Sequence, residues 1–129
     1  MTKQQFEIIA AENVQKIINY ISQEDYDKLS LVTSIDSSWC NNGETQTEGI
    51  KKFGEWLKGQ LQMWSEDYGK DFVIDPFDKK NLNLDDLEDN RSFSEYSPTS
   101  HGEELDFWFE IKFTVDDNGK VTSEFNVNV

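Results

Sequence analysis

The sequence predicts an α+β domain: N-terminal helices packed on one face of a curved antiparallel sheet that ends in a C-terminal β-hairpin. Three observations predict it. Apolar residues in the first half recur at steps of three and four, the period of a helix that buries one stripe. Those in the last quarter recur at every second position, the period of a strand with one dry face. The helical block precedes the strand block instead of alternating with it, which separates this chain from a parallel α/β design. With 129 residues, no internal repeat and no linker rich in Gly or Pro, residues 1–129 read as a single domain.

Each element has its own warrant. Thr2-x-x-Gln5 has the form of a capping box. After it, Phe6, Ile9, Ala10, Val14, Ile17, Ile18 and Ile21 form one stripe on a helix of about five turns. Ser22-x-x-Asp25 is the expected start of a short second helix, with Tyr26 and Leu29 facing inward. Leu31–Ile35 is either its end or a short extended segment. Asp36–Gln46 is a polar connection around the turn signal Asn41-Asn42-Gly43, and Trp39 within it caps a core edge. Thr47 is the expected cap of a third helix, whose stripe is Ile50, Phe53, Leu57, Leu61 and Trp64, with Trp56, Gln60 and Met63 beside it. Gly54 and Gly59 each weaken that helix by about 1 kcal/mol relative to Ala, and are read as allowing close packing.

Beyond the third helix the pattern changes. Phe72-Val73-Ile74, stopped by Pro76, reads as a short or edge strand. Asp78–Asn90 is polar, anchored only by Leu82, Leu84 and Leu87. Ser92–Tyr96 is a further short strand, and Ser97–Gly102 a turn cluster. Leu105, Phe107, Phe109, Ile111, Phe113 and Val115 alternate with polar residues over a long strand. Asp116-Asp117-Asn118-Gly119 turns the chain, and Val121, Ser123, Phe125, Val127 and Val129 alternate again. Wet faces alternating with dry ones suit an antiparallel sheet covered on one side. The last strand, 120–129, is expected at a sheet edge, where a dimer is the alternative to a monomer.

Charge restricts the partners. Twenty-six acids against twelve bases give a net charge of −14, the same sign as nucleic acid and anionic lipid, so neither is an expected partner. Four Trp, four Tyr and nine Phe are too many for a disordered acidic tail. No apolar run is long enough to span a bilayer, and the first residues lack the pattern of a signal peptide. A cytoplasmic protein is the expectation. Most of the charge lies in the second half. Between 85 and 106, Asp85, Asp86, Glu88, Asp89, Glu95, Glu103, Glu104 and Asp106 face Arg91 alone. That run is either a solvated loop or a surface held ready for a basic partner. Phe93, Tyr96 and Trp108 lie in or beside it, and aromatics are common interface anchors.

The order helix, short helix, loop, third helix and curved antiparallel sheet resembles the cone-shaped NTF2-like fold. The ending Phe107–Val129 also resembles small bacterial proteins found beside polymorphic toxins, the immunity partners of contact-dependent growth inhibition. That second resemblance implies a non-catalytic protein that binds and neutralises a basic, nuclease-type toxin domain. Its expected binding surface comprises Asp85, Asp86, Glu88, Asp89, Glu95, Tyr96, Glu103, Glu104, Asp106, Trp108 and Glu110. The competing expectation, from the first resemblance, is an NTF2-like small-molecule binder or enzyme with a carboxylate and a phenol in an apolar pocket. Asp106, Glu110 and Tyr96 are the residues available for it.

The search for chemistry adds little. His101 is the only histidine and Cys40 the only thiol, so no disulfide framework or multi-thiolate zinc site is available. They lie far apart in sequence, with nothing local to make them a dyad. The acidic pairs sit in polar stretches where water screens them, so solvated loops, not acid/base pairs, are the expectation. Asp116-Asp117-Asn118-Gly119 is similar to half a calcium loop, but Val127 stands where the bidentate Glu is needed. No phosphate-cradling Gly-rich loop is present. No cofactor or metal is expected. On the 105–115 strand the polar face reads Asp106, Trp108, Glu110, Lys112, Thr114. Trp108 is there either covered by the 78–100 segment or exposed as an anchor within an acidic rim.

Overall fold

A computed structural model describes residues 1–129. The first helix, α1, runs Lys3–Ser22 behind the Thr2/Gln5 capping box. Its buried stripe is Phe6, Ala10, Val14, Ile17, Ile18 and Ile21, while Ile9 faces water. The second helix, α2 (Tyr26–Val32), is capped by Asp25, whose side chain accepts from the Lys28 amide. Ser22 does not cap it. Its hydroxyl donates instead to the Ile74 carbonyl at 2.7 Å and ties α1 to the later chain. Both expectations for 31–35 hold in part, because α2 ends at Val32 and Ser34–Ile35 forms strand β1.

The third helix, α3, spans Gln46–Tyr68. Its cap is Thr45, not Thr47, because Glu48 stands three residues on and completes a capping box. Phe53 is the hub of its buried face, with edge-on contacts to Tyr26, Trp39, Phe109 and Phe125 at centroid distances of 5.1–6.3 Å. Gly54 allows the close approach. A Cβ there would sit 2.7–2.9 Å from the Tyr26 ring. Burial, then the neighbouring Glu24 charge, pushes the Tyr26 phenol up to about 12. Gly59 has open space around it and serves no packing role.

The remaining strands are β2 (Leu82–Leu84), β3 (Arg91–Tyr96), β4 (Thr99–Ser100), β5 (Glu103–Glu104), β6 (Trp108–Val115) and β7 (Val121–Asn128). Five of them form one sheet in the order β1-β7-β6-β3-β2, antiparallel throughout except for β1, which runs parallel to β7. The β4–β5 pair is a separate small hairpin. The β6–β7 turn closes at Gly119, whose φ of 78° an L side chain rarely adopts.

Three strand expectations change. Phe72–Ile74 joins no sheet. The Phe72 amide donates to the Ser65 hydroxyl, the Val73 amide donates to the Ser100 hydroxyl, and the Ile74 carbonyl accepts from the Ser22 hydroxyl. Strand β6 begins at Trp108, because the Leu105 amide is committed to the Pro98 carbonyl. The last strand is not an edge. β1 pairs with it at Glu124 and Phe125, the Asp36 amide donates to the Phe125 carbonyl, and the Trp39 indole donates to Asn126 at 2.9 Å.

Both long helices lie on the same side of the sheet. Phe6 of α1 meets Phe113 edge-on, and Phe53 of α3 meets Phe109 and Phe125. One continuous core joins residues from Phe6 to Val127. The other side of the sheet carries no helix.

Candidate partner-binding face

Strand alternation dictates what the uncovered side displays. Inward from β3, β6 and β7 point Tyr96, Phe109, Ile111, Phe113, Phe125 and Val127, all buried. Outward on β3 and β6 point Phe93, Glu95, Trp108, Glu110 and Lys112. Register then sets the rows. Asn83, Glu95, Glu110 and Asn126 lie side by side across four strands, and Phe93, Lys112 and Glu124 form the next row. Glu95 and Glu110 are therefore direct cross-strand neighbours. Like charges so placed destabilise a sheet, so stability does not account for them.

Two aromatics stand on this face. Phe93 is 57% exposed and Trp108 40%. The Lys112 ammonium lies 5.9 Å from the Phe93 ring centre, a cation–π distance. Trp108 borders a shallow depression of about 430 Å³, shared with Glu95, Ser97, Glu104, Leu105, Asp106 and Phe107. The 78–100 segment does not cover Trp108, because it supplies β2 and β3 to the same sheet. No ion-pair partner lies within reach of Glu95, Glu104, Asp106 or Glu110, whereas Glu103 meets Lys70 at 3.3 Å.

The acidic run does not form one surface. Asp85, Asp86, Glu88 and Asp89 sit in the β2–β3 connection, at the Arg91/Thr114 end of the ladder, while 103–106 lead into the Tyr96/Phe109 end. Six strand residues at about 3.4 Å each put about 20 Å between the two groups. Asp86 is paired with Lys3 at 3.2 Å. Asp89 and Asn90, with φ of 51° and 61°, are the centre of a tight hairpin turn closed by paired hydrogen bonds between Glu88 and Arg91. Asp and Asn tolerate that conformation, so Asp89 has a backbone reason to be there.

Tyr96 leaves the expected surface altogether. It is 1% exposed and stacks on Phe77 at 5.5 Å, and its hydroxyl accepts from the Asp78 amide at 3.0 Å. The alternation of β3 places it on the dry side, opposite Glu95. The same fact separates the trio Asp106, Glu110 and Tyr96, since the phenol lies inside the core and Glu110 on the open face. The aromatic cluster around Phe53 packs the centre between helices and sheet, with clefts of about 470 Å³ beside Leu57 and Ile74 and about 600 Å³ beside Ile8 and Leu82 at its margins. Phe93 and Glu124, members of the open face, escaped the sequence-level list, though the alternating phases of β3 and β7 were signal enough to find them.

The unique reactive residues are apart. Cys40 lies against Gly49 at the start of α3, with its thiol toward the Thr45 carbonyl. His101 faces Asp71, beyond the other end of that helix, at 3.8 Å. Twenty-three helical residues span about 34 Å. Nearby, Asp75 is a structural pin. Its carboxylate accepts from the Thr99 hydroxyl and from the His101 and Gly102 amides at 2.7–2.9 Å. Partial burial raises its pKa, but these hydrogen bonds outweigh that and hold it below the ordinary aspartate value. No group of three or more His, Cys, Asp or Glu side chains is placed to hold a metal ion. No helix is long and apolar enough to cross a membrane. Compared with known proteins, the chain matches no family model, no curated protein and no solved structure.

Proposed function

We propose that this chain is a non-catalytic inhibitor of the immunity type, acting in the cytoplasm as a monomer. It neutralises a basic, nuclease-type toxin domain by covering it with the open face of the sheet. The observation that carries the reading is the row Glu95–Glu110 beside the exposed Trp108. It joins an uncompensated like-charge pair to an aromatic anchor on a face that no helix covers. A basic partner relieves the repulsion and buries the indole, the combination found at interface hot spots. The net charge of −14 adds long-range steering, with association up to about 10⁸–10⁹ M⁻¹s⁻¹ at low salt. Fast capture suits a protein that must reach a toxin before the toxin reaches its substrate. The Phe53 cluster occupies the centre of the helix–sheet interface, and the carboxylates and the phenol that a small-molecule site or enzyme would use do not meet in any one cleft, which favours this reading over an NTF2-like enzyme or binder.

The test is capture from a lysate of the native organism at about 50 and about 500 mM salt, which bracket weak and strong screening. Three baits are compared: wild type, Glu95→Gln/Trp108→Ala/Glu110→Gln, and Asp85→Asn/Asp86→Asn/Glu88→Gln/Asp89→Asn. The expected catch is one basic protein, weakened by salt, lost by the open-face triple variant and kept by the hairpin variant. Expression of its toxin domain should arrest growth, and co-expression of this chain should restore it. Equal capture by the open-face variant, or arrest that this chain does not relieve, contradicts the proposal.

A further inference from the structure

We propose that the free edge of β2, with the trough between it and α1, accepts an extended segment of a basic partner protein as a sixth strand. β2 is the last strand of the sheet, with nothing beyond it. The phase of its ladder decides which backbone groups are free. The Ser97 amide donates to the Asn81 carbonyl and the Asp85 amide to the Phe93 carbonyl, with Asn83 opposite Glu95 between them. Odd-numbered residues thus bond to β3, and Leu82 and Leu84 turn their backbone groups outward. The Leu82 amide is used by the Lys79 carbonyl. The Leu82 carbonyl and both backbone groups of Leu84 have no partner in the chain.

Beside this edge lies a trough of about 600 Å³ between α1 and β2, with Ile8, Ala11, Phe77, Leu82 and Leu84 as its apolar lining. Ile8 is 53% exposed, a large apolar side chain that this chain leaves half uncovered. An unpaired strand edge and an apolar cleft for alternate side chains are the two requirements of strand addition. The backbone supplies affinity and the cleft supplies selectivity. The occupant must therefore be extended and carry an apolar residue at every second position.

Charge selects its source. Glu7 and Glu12 rim the trough opposite Lys79, Asp85 follows β2 directly while Asp86 is paired with Lys3, and the chain as a whole carries −14. Pairing two copies edge to edge would bring two such charges together, which self-repulsion opposes. A segment flanked by Lys or Arg is attracted instead. The site is separate from the open face. Leu82 and Leu84 lie on the α1 side, and only Asn83 faces the row of Glu95 and Glu110. The inference therefore stands or falls independently of the reading above.

The probe is a blocked peptide, Lys-Val-Thr-Val-Thr-Val-Lys, titrated into the isotope-labelled full chain and followed by amide NMR and hydrogen exchange. Shifts are expected at Ile8, Ala11 and Leu82–Leu84, and the unbonded Leu84 amide should exchange about tenfold more slowly at saturation. The same peptide N-methylated at every Val and Thr should give no protection, because its backbone donors are gone. Ile8→Lys, at an exposed position the fold does not depend on, should abolish binding. Three outcomes each overturn the proposal: no shifts, equal binding by the methylated peptide, or shifts confined to Trp108, Glu110 and their neighbours, which would reveal attraction to the open face alone.

Discussion

The two faces of one sheet differ more than any two elements of the chain. Residue by residue they share the same strands: Phe109, Ile111 and Phe113 point one way from β6, and Trp108, Glu110 and Lys112 the other. On the helix side the positions are buried, apolar apart from Ser92, Ser94 and Ser123, and Phe109, Phe113 and Phe125 are each met edge-on by another ring. On the open side a like-charge pair, a lysine over a phenylalanine and an exposed indole lie in water. Period-two alternation accounts for which residues go where, but not for what the outer ones are. A solvated sheet face built only for stability would place opposite charges across the ladder and keep Trp out of water. The open side sets Lys112 opposite Glu124, but it also sets Glu95 opposite Glu110 and leaves Trp108 40% exposed, and that departure is the reason to assign it a partner.

Breaking the inner face should cost most. Phe53→Ala removes the ring at the centre of four aromatic contacts and should cost about 3–5 kcal/mol in denaturant unfolding. Gly54→Ala should follow at about 1–3 kcal/mol, since its Cβ collides with Tyr26. Gly59→Ala, on the wet side of the same helix, should instead stabilise by about 1 kcal/mol.

Asp75 separates acid sensitivity from packing. Its folded-state pKa is lowered, so its contribution is complete above the ordinary value of 3.8 and is lost as pH falls through the folded value. Thermal scans between pH 6 and 2 should show wild type losing stability below about pH 4, with Asp75→Asn less stable at pH 6 and flatter across that window. The smallest effect belongs to the open face. Glu110→Gln should raise stability by about 0.2–1 kcal/mol by removing the like-charge pair with Glu95. A fall would mean that Glu110 holds the fold.

Much of this was legible in the sequence, and the failures are physical. The stripe of α1, the capping box at Thr2 and the β6–β7 hairpin follow from periodicity and turn chemistry, which are local. The cap at Thr45 is readable too, from Glu48 three residues on. Strand β2 was not: Leu82-Asn83-Leu84 alternates for only three residues, and its strand state comes from pairing with β3. Phe72–Ile74 failed in the opposite sense, apolar enough for a strand but bonded to side chains. The acidic run misleads because nearness in sequence is not nearness in space. Asp85–Asp89 and Glu103–Asp106 flank opposite ends of β3, and Tyr96 follows the parity of its strand into the core. What brought Glu95, Glu104, Asp106, Trp108 and Glu110 together was register, which needs the fold.

The most direct test measures stability and partner capture on the same protein, Glu95→Gln/Trp108→Ala/Glu110→Gln. If the open face is held for a partner and not for the fold, the denaturant midpoint should equal or exceed that of wild type while capture of the basic protein is lost. An unfolding free energy lower by more than about 2 kcal/mol would make this face structural, and unchanged stability with unchanged capture would place the partner elsewhere on the molecule.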